Sequence, residues 1–354
     1  MKKIVWLVVA ALLVLTLGVA GCAPAESGND GSASVAPAAS TDAAAPAEGS
    51  SAAAENTGAR PPKNGDKYVI GTVLISGTNP HCQIFEKSFR ETVEAKGGTP
   101  VVLDADYDPA KLMSCISDLI AQDVDGIVIE ACDAEAPVTG IKEAHDKGIV
   151  VAATDLIVNV SEDDGTLISM TGTDNYAAGY ACGEDFAKRA GDEEKNFVIM
   201  DMKTNSSAVE RVKGFMDAIK DHPNLKLLDQ QQPTPETQEQ KMALMDSWIQ
   251  KFDKIDCVFA FHDPAAIACM QALEAAGRLD GTLIYSVDGN QDAIQAIADG
   301  KITATAKQQP DQLAAQPVED VFKVLNGEEI GHDWLTLLPT IYVEQSNAAD
   351  YLEK

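Results

Sequence analysis

The sequence predicts an α/β fold of two doubly wound parallel-sheet lobes, and three observations carry that prediction. From residue 67 onward, short continuous apolar runs alternate with amphipathic segments. The apolar runs lack the every-second-residue polarity of a half-exposed strand, as expected for parallel sheets covered on both faces. The alternation runs through once and begins again near residue 170, so two βα series follow one another.

The first series opens with a strand over 68–75. A helix follows, with Ile84, Phe85, Ser88, Phe89, Thr92 and Val93 on one face, and stops at Gly97-Gly98. After the strand Val101-Val102-Leu103, Asp108 caps a second helix that has Pro109 in its first position and buries Leu112, Met113, Ile116, Leu119 and Ile120. A strand over 126–129, a helix over 136–147 and a strand over 149–153 complete the series. Following the apolar run 167–170, the second series reads helix 176–189, strand 197–200, helix 207–220, strand 225–228, helix 237–252, strand 257–261, helix 264–275, strand 283–287 and the run Thr303-Ala304-Thr305-Ala306.

The N-terminal end is of another kind. Lys2 and Lys3 precede an uncharged apolar run over 4–17, which reads as an export signal and is too short to span a bilayer. It ends in Val19-Ala20-Gly21-Cys22, which resembles the lipobox of bacterial lipoproteins and makes Cys22 the expected lipid acceptor. Residues 23–66 are dominated by Ala, Ser, Gly, Pro, Thr and acidic residues, too poor in apolar surface to order themselves, and are expected to form a disordered tether. The expected location is the outer face of the cytoplasmic membrane.

Acidic residues number 55 against 27 Lys and Arg, a balance that disfavours nucleic acid and anionic lipid headgroups, which rely on clustered cations. Lipidation of Cys22 leaves six of the seven cysteines: Cys82, Cys115, Cys132, Cys182, Cys257 and Cys269. They are scattered without CxxC spacing in a chain long enough to bury its own core, so most are expected to be buried free thiols. Neither a GxSxG elbow, an HExxH pair nor a GxxxxGK[ST] loop is present, and no enzymatic activity is expected.

In doubly wound sheets, ligands bind outside the carboxyl ends of the strands. The polar residues at those ends are Asn79, His81 and Cys82, then Glu130 and Asp133, then Asp155. In the second series they are Ser206, Ser207, His262, Asp263, Asp288 and Gln308. Asp133, Asp263, Ser206 and Ser207 are equally suited to cap the helices they precede. Asp155 and Asp288 end strands before irregular or glycine-marked loops and are expected to bind ligand.

An ordered set of short segments then carries a family resemblance. It comprises Thr78-Asn79-Pro80, Asp108-Pro109-Ala110-Lys111, Thr173-Asp174-Asn175-Tyr176-Ala177-Ala178-Gly179, Glu210-Arg211-Val212-Lys213-Gly214-Phe215, Phe259-Ala260-Phe261-His262-Asp263, Val287-Asp288-Gly289 and 304–312. Over 68–343 the chain resembles the ribose-binding type of periplasmic binding protein, the type I solute-binding proteins of sugar ABC transporters. The resemblance implies a three-segment hinge with crossings near Gly172, Gln308 and Thr340. It implies a first lobe of 67–171 plus 309–339 and a second of 172–308 plus 340–354.

It also implies that Asn79, Asp155, Asp288 and Gln308 hydrogen-bond the ligand. The departures are as informative. His81, Cys82 and Glu236 stand where sugar binders of this type place aromatic rings, and Leu156 and Val209 where they place arginines. Arg211 matches a neighbouring helix position and reads as structural. Glu130 and His262 each replace an asparagine.

The expected site is therefore Asn79, His81, Cys82, Glu130, Asp155, Glu236, His262, Asp288 and Gln308, rich in carboxylates, bearing two histidines and without a cation. Its expected ligand is a small polar molecule, a monosaccharide or a related polyol or amino sugar. The expected partner is an ABC permease, with the protein a monomer and without a cofactor or metal. Two alternatives remain open: a receptor that signals to a membrane kinase or chemoreceptor, and a binder of a non-sugar cation or of a metal held by His81, Cys82, His262 and the acids.

Overall fold

A computed structural model of the chain describes residues 58–353. The export signal, Cys22 and most of the expected tether lie outside the described residues. The chain begins β1 (Val69–Leu74), α1 (Pro80–Ala95), β2 (Thr99–Asp104), α2 (Pro109–Ala121), β3 (Gly126–Glu130), α3 (Val138–Asp146), β4 (Val150–Asp155) and β5 (Met170–Thr173). It continues α4 (Asn175–Ala190), β6 (Lys195–Met200), α5 (Ser206–Ile219), β7 (Leu225–Gln231), α6 (Gln238–Lys251), β8 (Cys257–Ala260), α7 (Asp263–Ala275) and β9 (Leu283–Asp288). The last elements are α8 (Gln291–Ala298), β10 (Ala304–Lys307), α9 (Pro310–Leu325), β11 (Leu335–Leu338) and β12 (Ile341–Glu344).

Two six-stranded sheets result, in the orders β11-β5-β4-β3-β1-β2 and β12-β10-β9-β8-β6-β7. All pairings are parallel except that of β12 with β10. Each sheet is buried on both faces, which accounts for the unbroken apolar runs of its strands. In the first lobe, Ile70, Phe85, Phe89, Val318 and Phe322 pack between the sheet, α1 and α9. Val73, Leu112, Ile116, Ile129 and Ile141 fill the other face beneath α2 and α3. In the second, Phe186, Phe197, Phe215 and Phe259 pack beneath α4 and α5. Trp248, Val258, Leu273 and Ile294 pack beneath α6, α7 and α8.

The chain passes between sheets three times: after β5, after β10 and after β11. Carriage of α9 and β11 back to the first sheet is what closes that lobe. Helix α9 carries an internal proline, Pro317, and is nonetheless buried along one face.

Two close approaches fix the second lobe. A Cβ on Gly179 of α4 would lie 1.8 Å from the Arg211 carbonyl oxygen, and one on Gly214 of α5 would lie 2.0 Å from that of Tyr176. Only glycine permits the two helices to come this near.

The expected tether ends earlier than residue 66. Arg60 N–H donates to the Leu325 carbonyl at 2.7 Å and Lys63 N–H to Asp125 Oδ1 at 2.7 Å, while Lys63 Nζ pairs with Asp123 at 2.9 Å. Backbone and side-chain partners on the first lobe thus replace the apolar surface this segment lacks. Among the described residues all six cysteines are free thiols; five are buried and Cys132 is half-buried.

Candidate functional site

In the first lobe, Asn79 accepts the His81 backbone N–H at 2.9 Å and, with Pro80 behind it, starts α1. This cap places His81 and Cys82 in the first helical turn, beside the end of β3. Asn79 Nδ2 also donates to the Tyr107 hydroxyl at 2.6 Å.

Glu130, the last residue of β3, is 0% exposed. Its Oε2 accepts the Ile75 N–H at 2.9 Å and the Cys82 thiol bonds weakly to the carboxyl, while Oε1 has no nitrogen or oxygen partner. Nε2 of His81, also buried and unpartnered, lies 3.8 Å from that oxygen. Burial first, and then the charge of Asp155, push the Glu130 carboxyl up to about 8. Asp155 ends β4 with φ 68°, a left-handed conformation that aspartate tolerates better than most side chains. Atoms of His81, Glu130 and Asp155 all lie within 4.8 Å of one another.

The second-lobe wall is built differently. Asp288 ends β9, also at positive φ, 139°. Its Oδ1 accepts from Arg211 Nη1 at 3.1 Å and from Gln308 Nε2 at 2.8 Å. Gln308 Oε1 in turn accepts from the Thr173 hydroxyl at 2.8 Å, which ties this wall to the end of β5 in the first sheet. Arg211 is 6% exposed and donates further to Asn175 Oδ1 at 2.8 Å and the Phe261 carbonyl at 2.9 Å.

Behind Asp288, the buried Asp263 accepts from the hydroxyls of Ser286 and Thr305 and from the backbone N–H groups of Gly289 and Asn290, at 2.6 to 2.7 Å. Burial, then the neighbouring Asp288, push its carboxyl up to about 7. His262 caps α7, its Nδ1 accepting the Ala265 N–H at 3.1 Å. With that nitrogen an acceptor, Nε2 carries the proton and faces Glu236 Oε1 at 3.3 Å. Glu236 also pairs with the buried Lys241. Burial works against the Glu236 anion, but His262 and Lys241 outweigh it and hold its carboxyl below the ordinary range.

Several expectations change. The cleft is not free of cations, because Arg211 and Lys241 both reach its carboxylates. Arg211, read from sequence as structural, touches Asp288 directly. Cys82 is wholly buried, with burial pushing its thiol well above the usual range and Glu130 beside it, so it backs the wall instead of lining it. His262 belongs to the other lobe, and the set that gathers in one place is His81, Glu130 and Asp155. Asp263 is not the cap of α7, whose N-terminus His262 occupies, and Asp133 does not cap α3, which starts after Pro137; its oxygen instead accepts the backbone N–H groups of Glu135 and Ala136 at 2.8 Å in the preceding turn. Neither Ser206 nor Ser207 caps α5; Asn205 does, accepting from Ala208 at 2.9 Å.

Tyr107 escaped the sequence reading. It lies beyond β2, at φ 57° and 58% exposed, and an exposed aromatic in a turn carries no local signal of a ligand contact. Burial raises its hydroxyl pKa, and Cys82, Glu130 and Asp288 add to the rise, so it feels both walls.

The family described as periplasmic binding protein domain matches residues 70–329. The chain is 29% identical over 264 residues to the ribose import binding protein RbsB of Salmonella typhimurium, covering 75% of this chain and 87% of that protein. It is 25% identical over 280 residues to the D-apiose import binding protein of Paraburkholderia graminis, covering 79% and 88% respectively. A solved galactofuranose binding protein superposes with a TM-score of 0.73 at 25% identity, over 81% of this chain and 98% of that one.

Proposed function

The chain belongs to the periplasmic binding protein domain family, and from that membership we propose that it captures a small polyhydroxylated solute, a monosaccharide or related polyol, for an ABC importer. Its relatives are import binding proteins, and it is a binding protein and not an enzyme. The observation that carries the reading is the pair Asp155 and Asp288. Each ends a strand of a different sheet, at the ligand-binding end, and each is held at positive φ. Backbone strain of this kind, of order 1–3 kcal/mol per residue, persists where surrounding structure enforces it and is concentrated at binding sites.

A ligand that hydrogen-bonds both aspartates joins the lobes and favours the closed state by as much as it prefers it. Asn79 and Gln308 supply further groups for hydroxyls, each capable of both donating and accepting. Cys22, outside the described residues, carries the lipid in this reading, and the loaded protein docks on a permease in the same membrane.

Calorimetry of the full chain in detergent against pentoses, hexoses and polyols tests the binding; the reading fails if no carbohydrate binds. Replacement of Cys22 by serine is expected to move the protein from the membrane fraction to the medium or periplasm.

A further inference from the structure

The two walls leave different numbers of groups for a ligand to satisfy. Glu130 Oε1 and His81 Nε2 are buried without partners, and no lysine or arginine among the described residues pairs with Glu130 or Asp155. Hydroxyls alone would bring donors to this wall but no positive charge, and Glu130, whose carboxyl burial already pushes up to about 8, would ionise there only at a cost.

The spacing is compatible with an ammonium group. An ammonium group with three N–H donors at tetrahedral angles, each reaching about 2.8 Å, sets its acceptors about 4.6 Å apart. Atoms of His81, Glu130 and Asp155 lie within 4.8 Å of one another. A tetrahedral zinc ion, with ligands at about 2.0–2.1 Å, sets them about 3.4 Å apart. The 3.8 Å between His81 Nε2 and Glu130 Oε1 lies between the two spacings, so the distances admit either group and the choice rests on the uncompensated charge of this wall. His81 accepts in the tautomer with its proton on Nδ1.

Resting on the solute-binding reading above, we infer that His81, Glu130 and Asp155 form an ammonium subsite and that the ligand is an amino sugar or amino polyol. Its hydroxyls face Asp288 and Gln308, whose existing partners on Arg211 and Thr173 hold them in place. The buried carboxyl of Glu130, held near neutrality in charge by its surroundings, ionises when the ammonium arrives.

The test is calorimetry of the full chain in detergent with D-glucosamine, D-galactosamine and D-mannosamine, each beside its parent sugar and its N-acetyl derivative. Ethanolamine and Zn²⁺ alone complete the set of probes. At least one amine is expected to bind about tenfold tighter than both its neutral counterparts, the scale of one charge-assisted contact. Glu130→Gln, which keeps an acceptor for Ile75, should bring that ratio near one while the protein still melts cooperatively. Asp155→Asn should reduce it independently if the first variant fails to fold.

Parent sugars that bind as tightly as the amines overturn the subsite and leave the sugar reading standing. Ethanolamine binding without any sugar upholds the subsite and removes the sugar reading. Tight Zn²⁺ binding that no amine displaces assigns the wall to a metal. Absence of binding by every probe overturns both.

Discussion

The two walls of the cleft use carboxylates in opposite ways. In the second lobe, Asp288 is held by Arg211 and Gln308 and Asp263 by two hydroxyls and two backbone N–H groups, while Glu236 has the ammonium of Lys241 and the ring of His262 beside an oxygen that otherwise lacks a hydrogen bond. In the first lobe, Glu130 keeps one oxygen without a partner opposite an equally unpartnered histidine nitrogen. One wall is set before ligand arrives and loses little on binding; the other holds a carboxyl whose charge needs a proton or a ligand to compensate it. Preorganisation supplies geometry, and the unmet group supplies selectivity.

The largest effect should come from breaking the prepared wall. Asp288→Ala leaves the guanidinium of Arg211 and the amide of Gln308 without their shared acceptor, and binding should weaken about a hundredfold by calorimetry, with a loss of about 2 kcal/mol in stability. Undiminished affinity in that variant would place the ligand elsewhere.

Relief of the strained wall comes next. A carboxyl whose folded pKa is raised takes up a proton on folding. Its stabilising contribution is therefore complete below the unfolded value, 4.5 for Glu130, and is lost as pH rises through about 8. Asp263 adds a loss of the same sign between 3.8 and about 7, and keeps it in any Glu130 variant. Without ligand, Glu130→Gln should therefore melt about 5 °C higher than the parent at pH 8 and show little difference at pH 4. Parallel melting curves at both pH values would contradict the proposed imbalance.

A control lies outside the cleft. His332 Nδ1 faces the Asp333 carbonyl and Nε2 faces Asp320 Oδ1, each at 2.9 Å, with the Gln316 amide nitrogen also 2.9 Å from Nε2. Burial works to lower its pKa, but those two oxygens outweigh it and raise it above 6.5. That stabilisation is present below 6.5 and fades as pH rises through the raised value. His332→Gln should cost about 2 °C at pH 6, less at pH 8, and leave ligand affinity unchanged. A change in affinity would show that the two ends of the first lobe are coupled.

The smallest effect belongs to Tyr107→Phe, which removes the hydroxyl that Asn79 donates to. About a threefold loss of affinity is expected, the scale of one exposed hydrogen bond. A loss comparable to that of Asp288→Ala would make Tyr107 a principal ligand contact.

Much of the architecture was open to sequence reading because its signals are local. Asp108 and Pro109 announce α2, and the structure has Asp108 Oδ1 accepting from the Ala110 N–H at 2.8 Å. Gly97 and Gly98 stop α1 within two residues of its end at Ala95. Helices α8 and α9 were not read as elements: α8 is short, and Pro317 interrupts the pattern of α9 although burial of its face against α1 and β4 holds it helical.

By itself the sequence determined the period of each element, the repetition of the βα series and hence the positions of Asp155 and Asp288 at strand ends, since these follow from neighbours a few residues apart. The tertiary structure alone decided which charges meet. Arg211 reaches Asp288 across 77 residues and Thr173 reaches Gln308 across 135, whereas Glu130, with Ile75 across 55, leaves its second oxygen without a partner. Pairing and desolvation depend on distances set by the close approach of α4 to α5 and by the three passages between sheets, and no local pattern encodes those distances.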